Sequence, residues 1–223
     1  MCGRFTVRSA PNAIAKQFGL SGVLELFPHF NIAPTQMIAA VRSPQGTREL
    51  TLLRWGLIPS WATDLTIGNR MINARSETVA TKPSFKKAFL ARRCLVVADG
   101  FYEWQKLDGG KQPFYIRLKS NQPFALAGLW ERNERTGKPI ESCTILTTSA
   151  NELMAPLHER MPVIIPPEHY GFWLDPERQD ATDLEKLLQP FPADEMTAYP
   201  VSTLVNSPKN DLPECVEPLR SEA

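Results

Sequence analysis

Histidine is scarce in this 223-residue chain, with three in all, and its four cysteines stand at positions 2, 94, 143 and 215. That spacing offers neither a C-x-x-C metal pair nor a small disulfide framework, so no metal is expected. No apolar run approaches the ~20 residues that span a bilayer, and no charged leader precedes an apolar segment. Membrane association is therefore not expected, and the chain reads as cytoplasmic, nucleoid-associated if bacterial. A glycine-rich phosphate loop and a βαβ alternation are both missing, which argues against a nucleotide-binding α/β fold. Internal repeats, low-complexity tracts and a convincing linker are missing as well, so residues 1–223 read as a single domain.

What is present is ordinary globular composition, 43% apolar and 22% charged, with an unusual 20 prolines. Proline removes a backbone donor and breaks helices, so many short strands and loops are expected. The net charge of +1 hides an asymmetry. Residues 1–120 hold 17 Lys+Arg against 7 Asp+Glu, and residues 121–223 hold 8 against 17. Such a split either presents a basic face to a polyanion or is cancelled by interleaving of the two halves.

Ser9-Ala10-Pro11 reads as a helix start, with Ile14 and Phe18 facing inward and Gly19 as the stop. Ile38–Arg42 and Glu49–Trp55 flank a Ser-Pro-Gln-Gly turn and predict a hairpin. A short helix over Ser84–Ala91 leads to a buried strand at Cys94–Ala98. Asp108-Gly109-Gly110 joins Phe101–Lys106 to Pro113–Leu118 as a second hairpin. Further strands are expected at Phe124–Trp130, Cys143–Thr148 and Met196–Val201. Short helices are expected at Asn151–Leu157, near Pro167 and at Ala181–Leu188. The fold class is α+β: a curled, barrel-like antiparallel β core with flanking helices.

The most informative residues are the first three, Met1-Cys2-Gly3. Removal of Met1 would leave Cys2 with an α-amine and a thiol on adjacent carbons. That pair condenses with an aldehyde to an imine, which the thiol closes into a thiazolidine. The free groups titrate at about 7.7–8.0 and 8.5, so both are expected to be usable near neutral pH. Acid/base partners are few. Glu103 follows a buried strand among aromatics, where a carboxyl group can relay protons. His158, before a proline-bounded turn, is a candidate proton shuttle or a helix-end cap. Asn73 can orient the amine or an oxygen; Arg75 can pair with phosphate or with a neighbouring acid. Trp55 is expected in the core. Trp61, on the same Gly/Pro loop, can stack on an unpaired base.

Eight segments in order carry a resemblance: Met1-Cys2-Gly3-Arg4-Phe5, Asn31-Ile32-Ala33-Pro34-Thr35, Trp55-Gly56-Leu57-Ile58-Pro59, Ile72-Asn73-Ala74-Arg75-Ser76-Glu77-Thr78, Asp99-Gly100-Phe101-Tyr102-Glu103-Trp104, Ala127-Gly128-Leu129-Trp130, Leu157-His158-Glu159-Arg160-Met161-Pro162 and Pro200-Val201-Ser202. The chain closely resembles the SOS-response-associated peptidase family, whose members shield abasic sites in single-stranded DNA. The resemblance implies that Cys2 traps the C1′ aldehyde of an abasic site as a thiazolidine crosslink. It makes Glu103 the acid/base, His158 the promoter of sugar-ring opening, and Asn73 the group that positions the reactants. Arg4, Arg75 and Arg160 are implied to contact phosphates or sugar, with Thr147 among the DNA contacts. Trp61 and the Asn31–Thr35 loop, including Asn31 and Pro34, would line the strand channel. No metal or organic cofactor is implied. The expected partner is abasic single-stranded DNA, with replication-fork proteins as further candidates, and a monomer is expected. Three rival readings share parts of the pattern: an N-terminal-nucleophile amidohydrolase, a Cys2–His158 peptidase, and a non-catalytic single-strand-binding module.

Overall fold

A computed structural model describes residues 2–22, 25–135 and 137–219. In chain order the elements are β1 (Phe5–Val7), α1 (Pro11–Phe18), β2 (His29–Ile32), β3 (Met37–Arg42), β4 (Glu49–Trp55), β5 (Asn73–Arg75), α2 (Ser76–Val79), α3 (Lys86–Ala91) and β6 (Arg93–Ala98). They continue with β7 (Gly100–Leu107), β8 (Gly110–Leu118), β9 (Phe124–Asn133), β10 (Ile140–Ser149), β11 (Arg160–Pro162), β12 (Ile164–Ile165), α4 (Tyr170–Leu174), α5 (Ala181–Glu185) and β13 (Met196–Pro200).

The apolar runs that read as strands pair into a closed ring. β4 pairs antiparallel with β3, β3 with β6, β6 with β9 and β9 with β10. The ring closes where β10 meets β4 in parallel, Ser142 opposite Arg54 and Cys143 opposite Trp55. The barrel is thus mixed rather than wholly antiparallel, with a flanking sheet ordered β13-β8-β7-β1-β2. Every residue of β6 is buried, and each large apolar side chain removed from water in this way contributes at most about 1.5–3 kcal/mol. Closure requires a small residue where β6, β9 and β10 crowd. A Cβ on Gly128 would lie 2.8 Å from the Cys94 sulfur and 3.3 Å from the Thr144 carbonyl oxygen.

Beyond residue 55 the chain leaves the barrel and returns as β5, which continues along β10 in parallel, with Asn73 opposite Ile145 and Arg75 opposite Thr147. β11 lies antiparallel on the same end of β10, with Arg160 opposite Ser149. One end of β10 therefore gathers β5 and β11, and β5 is where the first segment of the chain docks.

α1 buries Ile14 and Phe18 and ends at Gly19, whose φ of 64° suits glycine. The expected helix at Asn151–Leu157 is instead a run of turns, ending with the His158 N–H donating to the Met154 carbonyl at 2.9 Å. The Asn151 side chain competes by capping the Met154 N–H at 2.9 Å, and Pro156 can donate nothing. α3 begins two residues late, α5 stops at Glu185, and the strand expected to reach Val201 ends at Pro200. The charge asymmetry resolves as interleaving. β9 and β10 complete a barrel begun by β3, β4 and β6, and Arg42–Glu141 and Arg92–Glu131 ion pairs join the halves at 3.0 and 2.8 Å. No separate basic face follows from sequence position alone.

Candidate functional site around Cys2

Cys2 precedes β1 and is 0% exposed. Its carbonyl accepts a 2.8 Å hydrogen bond from Asn73 Nδ2, at the start of β5. The Arg4 carbonyl accepts from the Tyr102 N–H at 3.0 Å and lies 4.0 Å from the Cys2 sulfur. That backbone contact seats the chain start against β7, where Glu103, 3% exposed, follows Tyr102. Burial pushes the Cys2 thiol well above its ordinary range, and the nearby Glu103 charge adds to the rise. The expectation of a thiol titrating near 8.5 is corrected accordingly: at neutral pH the sulfur holds its proton. Met1 lies outside the described residues.

Asn73 Oδ1 is buried with no hydrogen-bond partner among the described residues. His158 reaches this end of β10 on the segment leading into β11. Its Nδ1 accepts the Arg160 backbone N–H at 2.9 Å, so the neutral ring carries its proton on Nε2. Asn73 thus touches Cys2 directly, Glu103 lies near enough for its charge to act on the thiol, and His158 is held on the segment that leads into β11 at the same end of β10.

The residues expected to contact DNA fall into three groups, with Arg4 belonging to both the first and the second. Arg75 is exposed, and its side chain makes no hydrogen bond or ion pair among the described residues. Pro34 and Arg4 line a groove of about 500 Å³ together with Gly3, Trp104, Lys111 and Asn206. The second group is tied internally. The Arg4 guanidinium donates to Asn31 Oδ1 at 2.8 Å and to the Val205 carbonyl at 2.7 Å. Asn31 is buried, and its Nδ2 holds the carbonyls of Val205, Ser207 and Asn210 at 3.1, 2.9 and 2.8 Å. Thr147 is buried; its carbonyl accepts from Arg160 Nη2 at 2.6 Å. The Arg160 side chain is 12% exposed and pairs with Glu77.

Trp61 forms the third group alone. It is 53% exposed, but its loop is fastened elsewhere: Asn133 Nδ2 donates to the Pro59 and Ala62 carbonyls at 2.7 Å each. Asn133 lies opposite Ile140, whereas Asn73 and Arg75 lie opposite Ile145 and Thr147. Five to seven strand residues, roughly 17–23 Å, separate the two positions along β10. The structure does not bring Trp61 to the Cys2 cluster. It brings instead Trp104, whose Nε1 donates to Asn206 Oδ1 at 2.7 Å. Trp104 adjoins Glu103 in the chain, a signal available in the sequence. Lys111 and Asn206 had none, since only folding carries them to the groove. Among the described residues no three His, Cys, Asp or Glu side chains converge as a metal would require, and no helix is long and apolar enough to cross a membrane.

Comparison with known proteins decides the family. A family model described as SOS response associated peptidase (SRAP) matches residues 1–208. The chain belongs to the SRAP family. The Bacillus subtilis (strain 168) protein named abasic site processing protein YoqW is 50% identical over 222 residues, covering 97% of this chain and 99% of that one. The Gallus gallus abasic site processing protein HMCES is 36% identical over 197 residues, covering 77% of this chain and 58% of its own. Among solved structures, a Bacteroides thetaiotaomicron protein superposes with a TM-score of 0.88 at 26% identity, covering 98% of this chain and all (100%) of its own. A Bordetella bronchiseptica protein gives 0.79 at 30% identity, with 90% and 100% covered. These SRAP-like neighbours share the barrel with its flanking sheet.

Proposed function

We propose that this SRAP chain processes abasic sites in single-stranded DNA by trapping them covalently on Cys2 as a thiazolidine. The observation that carries the reading is the seating of Cys2: its carbonyl bound by Asn73 and its thiol within the field of the buried Glu103 carboxylate. The names of the relatives, abasic site processing proteins, support the substrate class.

Hydrolysis of the Met1–Cys2 bond frees the α-amine. An abasic sugar opens to a C1′ aldehyde as its C1′ hydroxyl gives up a proton and the ring oxygen gains one. His158, bearing its proton on Nε2, hydrogen-bonds that ring oxygen, and the imidazole stays neutral overall as the hydroxyl proton replaces the one it passes on. Because burial keeps the thiol protonated, the amine reacts first. Its nitrogen bonds to C1′, and the Glu103 carboxylate relays the two amine protons, one after the other, to the former carbonyl oxygen, first giving a carbinolamine and then releasing one water to leave an imine. The sulfur then attacks C1′ while Glu103 takes the thiol proton and the imine nitrogen gains one. Aldehyde and aminothiol become thiazolidine and water, with no redox change. Asn73 holds the Cys2 backbone so that both nucleophiles face one carbon. Arg75 supplies an unpaired cation for a phosphate, so binding weakens as salt rises and shows little sequence preference.

The test is a denaturing gel with an abasic single-stranded oligonucleotide. Wild-type protein should give a heat- and detergent-stable shifted band; Cys2→Ala should give none, and Cys2→Ser no stable one. Glu103→Gln should slow crosslinking while retaining binding to intact DNA. A Cys2→Ala protein that crosslinks like wild type sinks the proposal. Parallel loss of binding and crosslinking in Glu103→Gln removes Glu103 from the chemistry.

A further inference from the structure

Glu77 has no part in the steps above, yet it anchors Arg160. Its two carboxylate oxygens grip the end of the guanidinium, Oε1 with Nη1 and Oε2 with Nη2, the latter at 3.0 Å. Nη2 also donates to the Thr147 carbonyl at 2.6 Å, so most of the fork is committed. The Arg160 hydrogen bonds hold the Glu77 carboxyl below the usual carboxylate range, so the pair stays ionised at neutral pH.

What this pair joins gives it consequence. Glu77 is the second residue of α2, which follows β5 without a break, and β5 begins with Asn73, the residue that holds Cys2. Arg160 opens β11, and its backbone N–H binds the ring of His158 two residues earlier. The Glu77–Arg160 pair therefore clamps the unit that carries the nucleophile to the unit that carries the imidazole. Both units also lie on β10, through Arg75 opposite Thr147 and Arg160 opposite Ser149, but each is an edge element of three residues. Short edges fray, and a two-point ion pair with a planar fork resists that motion better than a single contact.

We infer that Glu77 is a positioning residue, acting through Arg160 to set the tautomer and placement of the His158 ring relative to Cys2. The inference rests on the proposed thiazolidine chemistry for its functional meaning, but not for its structural content. With Nδ1 engaged by the Arg160 amide, the ring presents Nε2–H to a reacting oxygen. Without the clamp, the amide and the ring lose their alignment, and the Nδ1–H form competes.

Two readouts separate this from a general structural role. The first is the ¹⁵N NMR signature of the His158 ring in the free protein. Wild type should show Nε2–H with an accepting Nδ1, and Glu77→Ala should show exchange between tautomers. The second is the single-turnover crosslinking rate at saturating abasic DNA. In Glu77→Ala it should fall about tenfold, while affinity for intact single-stranded DNA stays within about twofold. Arg160→Lys keeps the charge and loses the fork, so it should reproduce the tautomer change even if Glu77→Ala fails to fold. Glu77→Gln, with one accepting oxygen left, should recover part of the rate. A folded Glu77→Ala or Arg160→Lys protein with the wild-type ring signature overturns the inference. Wild-type protein that forms no crosslink defeats the proposed function instead, and the ring signature then still tests the clamp on its own.

Discussion

In the proposed reaction two requirements pull against each other at Cys2: a nucleophile has to reach its substrate, and this thiol is wholly buried. The order of steps reconciles them. A protonated, buried sulfur is a poor first attacker, but it needs only a local base once an imine carbon sits beside it, and Glu103 is near enough to raise its pKa. Asn73 is the residue most exposed to test, because its Nδ2 binds the Cys2 carbonyl and its buried Oδ1 has no partner among the described residues. Asn73→Ala should lower stability by about 1–2 kcal/mol, the cost of a lost bond to a part-buried carbonyl. Crosslinking should slow far more, by roughly 10–100-fold, because the reacting atoms lose their alignment. Urea titration and single-turnover kinetics measure the two effects, and equal proportional losses would contradict the assignment. Asn31 illustrates the opposite case. The resemblance places it beside the DNA strand, but its carboxamide is spent on Arg4 and on carbonyls between 205 and 210.

β10 organises the elements. It pairs with β4, β5, β9 and β11, closing the barrel on one length and assembling the site on another. The longer strands were legible because apolar runs and turn residues mark them, as in Asp108-Gly109 between β7 and β8. The parallel seam between β4 and β10 was not, since no local pattern states which distant strand a run will meet. β1, β2, β5, β11 and β12, at two to four residues each, are too short to show alternation. That is why Asn73 and Arg160 could be singled out by motif but not placed by periodicity. Crowding within the barrel is testable at Gly128, where an added Cβ meets Cys94 sulfur at 2.8 Å and Val96 Cγ2 at 3.2 Å. Gly128→Ala should cost about 1–3 kcal/mol by overpacking. An unchanged urea midpoint would mean that the strands have room for a methyl group here.

Over the whole molecule, the buried ionisable groups predict alkaline lability. Burial raises the thiols of Cys2, Cys94 and Cys143, and it pushes the Tyr115 and Tyr170 hydroxyls up to about 12. Such groups stay protonated in the folded chain while the unfolded chain loses the same protons from about pH 8.5 upward. The unfolded state then binds fewer protons, so stability is full below that pH and falls as pH rises. Each thiol contributes a slope of about 1.4 kcal/mol per pH unit, or roughly 4 kcal/mol per unit for the three. Urea unfolding should be level from pH 7 to 8 and decline steeply above 9. A flat profile to pH 11 would contradict the burial of these groups.

The molecule's purpose turns on whether a freed aminothiol at its start captures an opened sugar. Intact-mass spectrometry after incubation with an abasic single-stranded oligonucleotide asks this without an intermediary. The expected species has the mass of the protein without Met1, plus the oligonucleotide, less one water. Retention of Met1 in an adduct, or attachment that persists in Cys2→Ala, would contradict capture by the aminothiol.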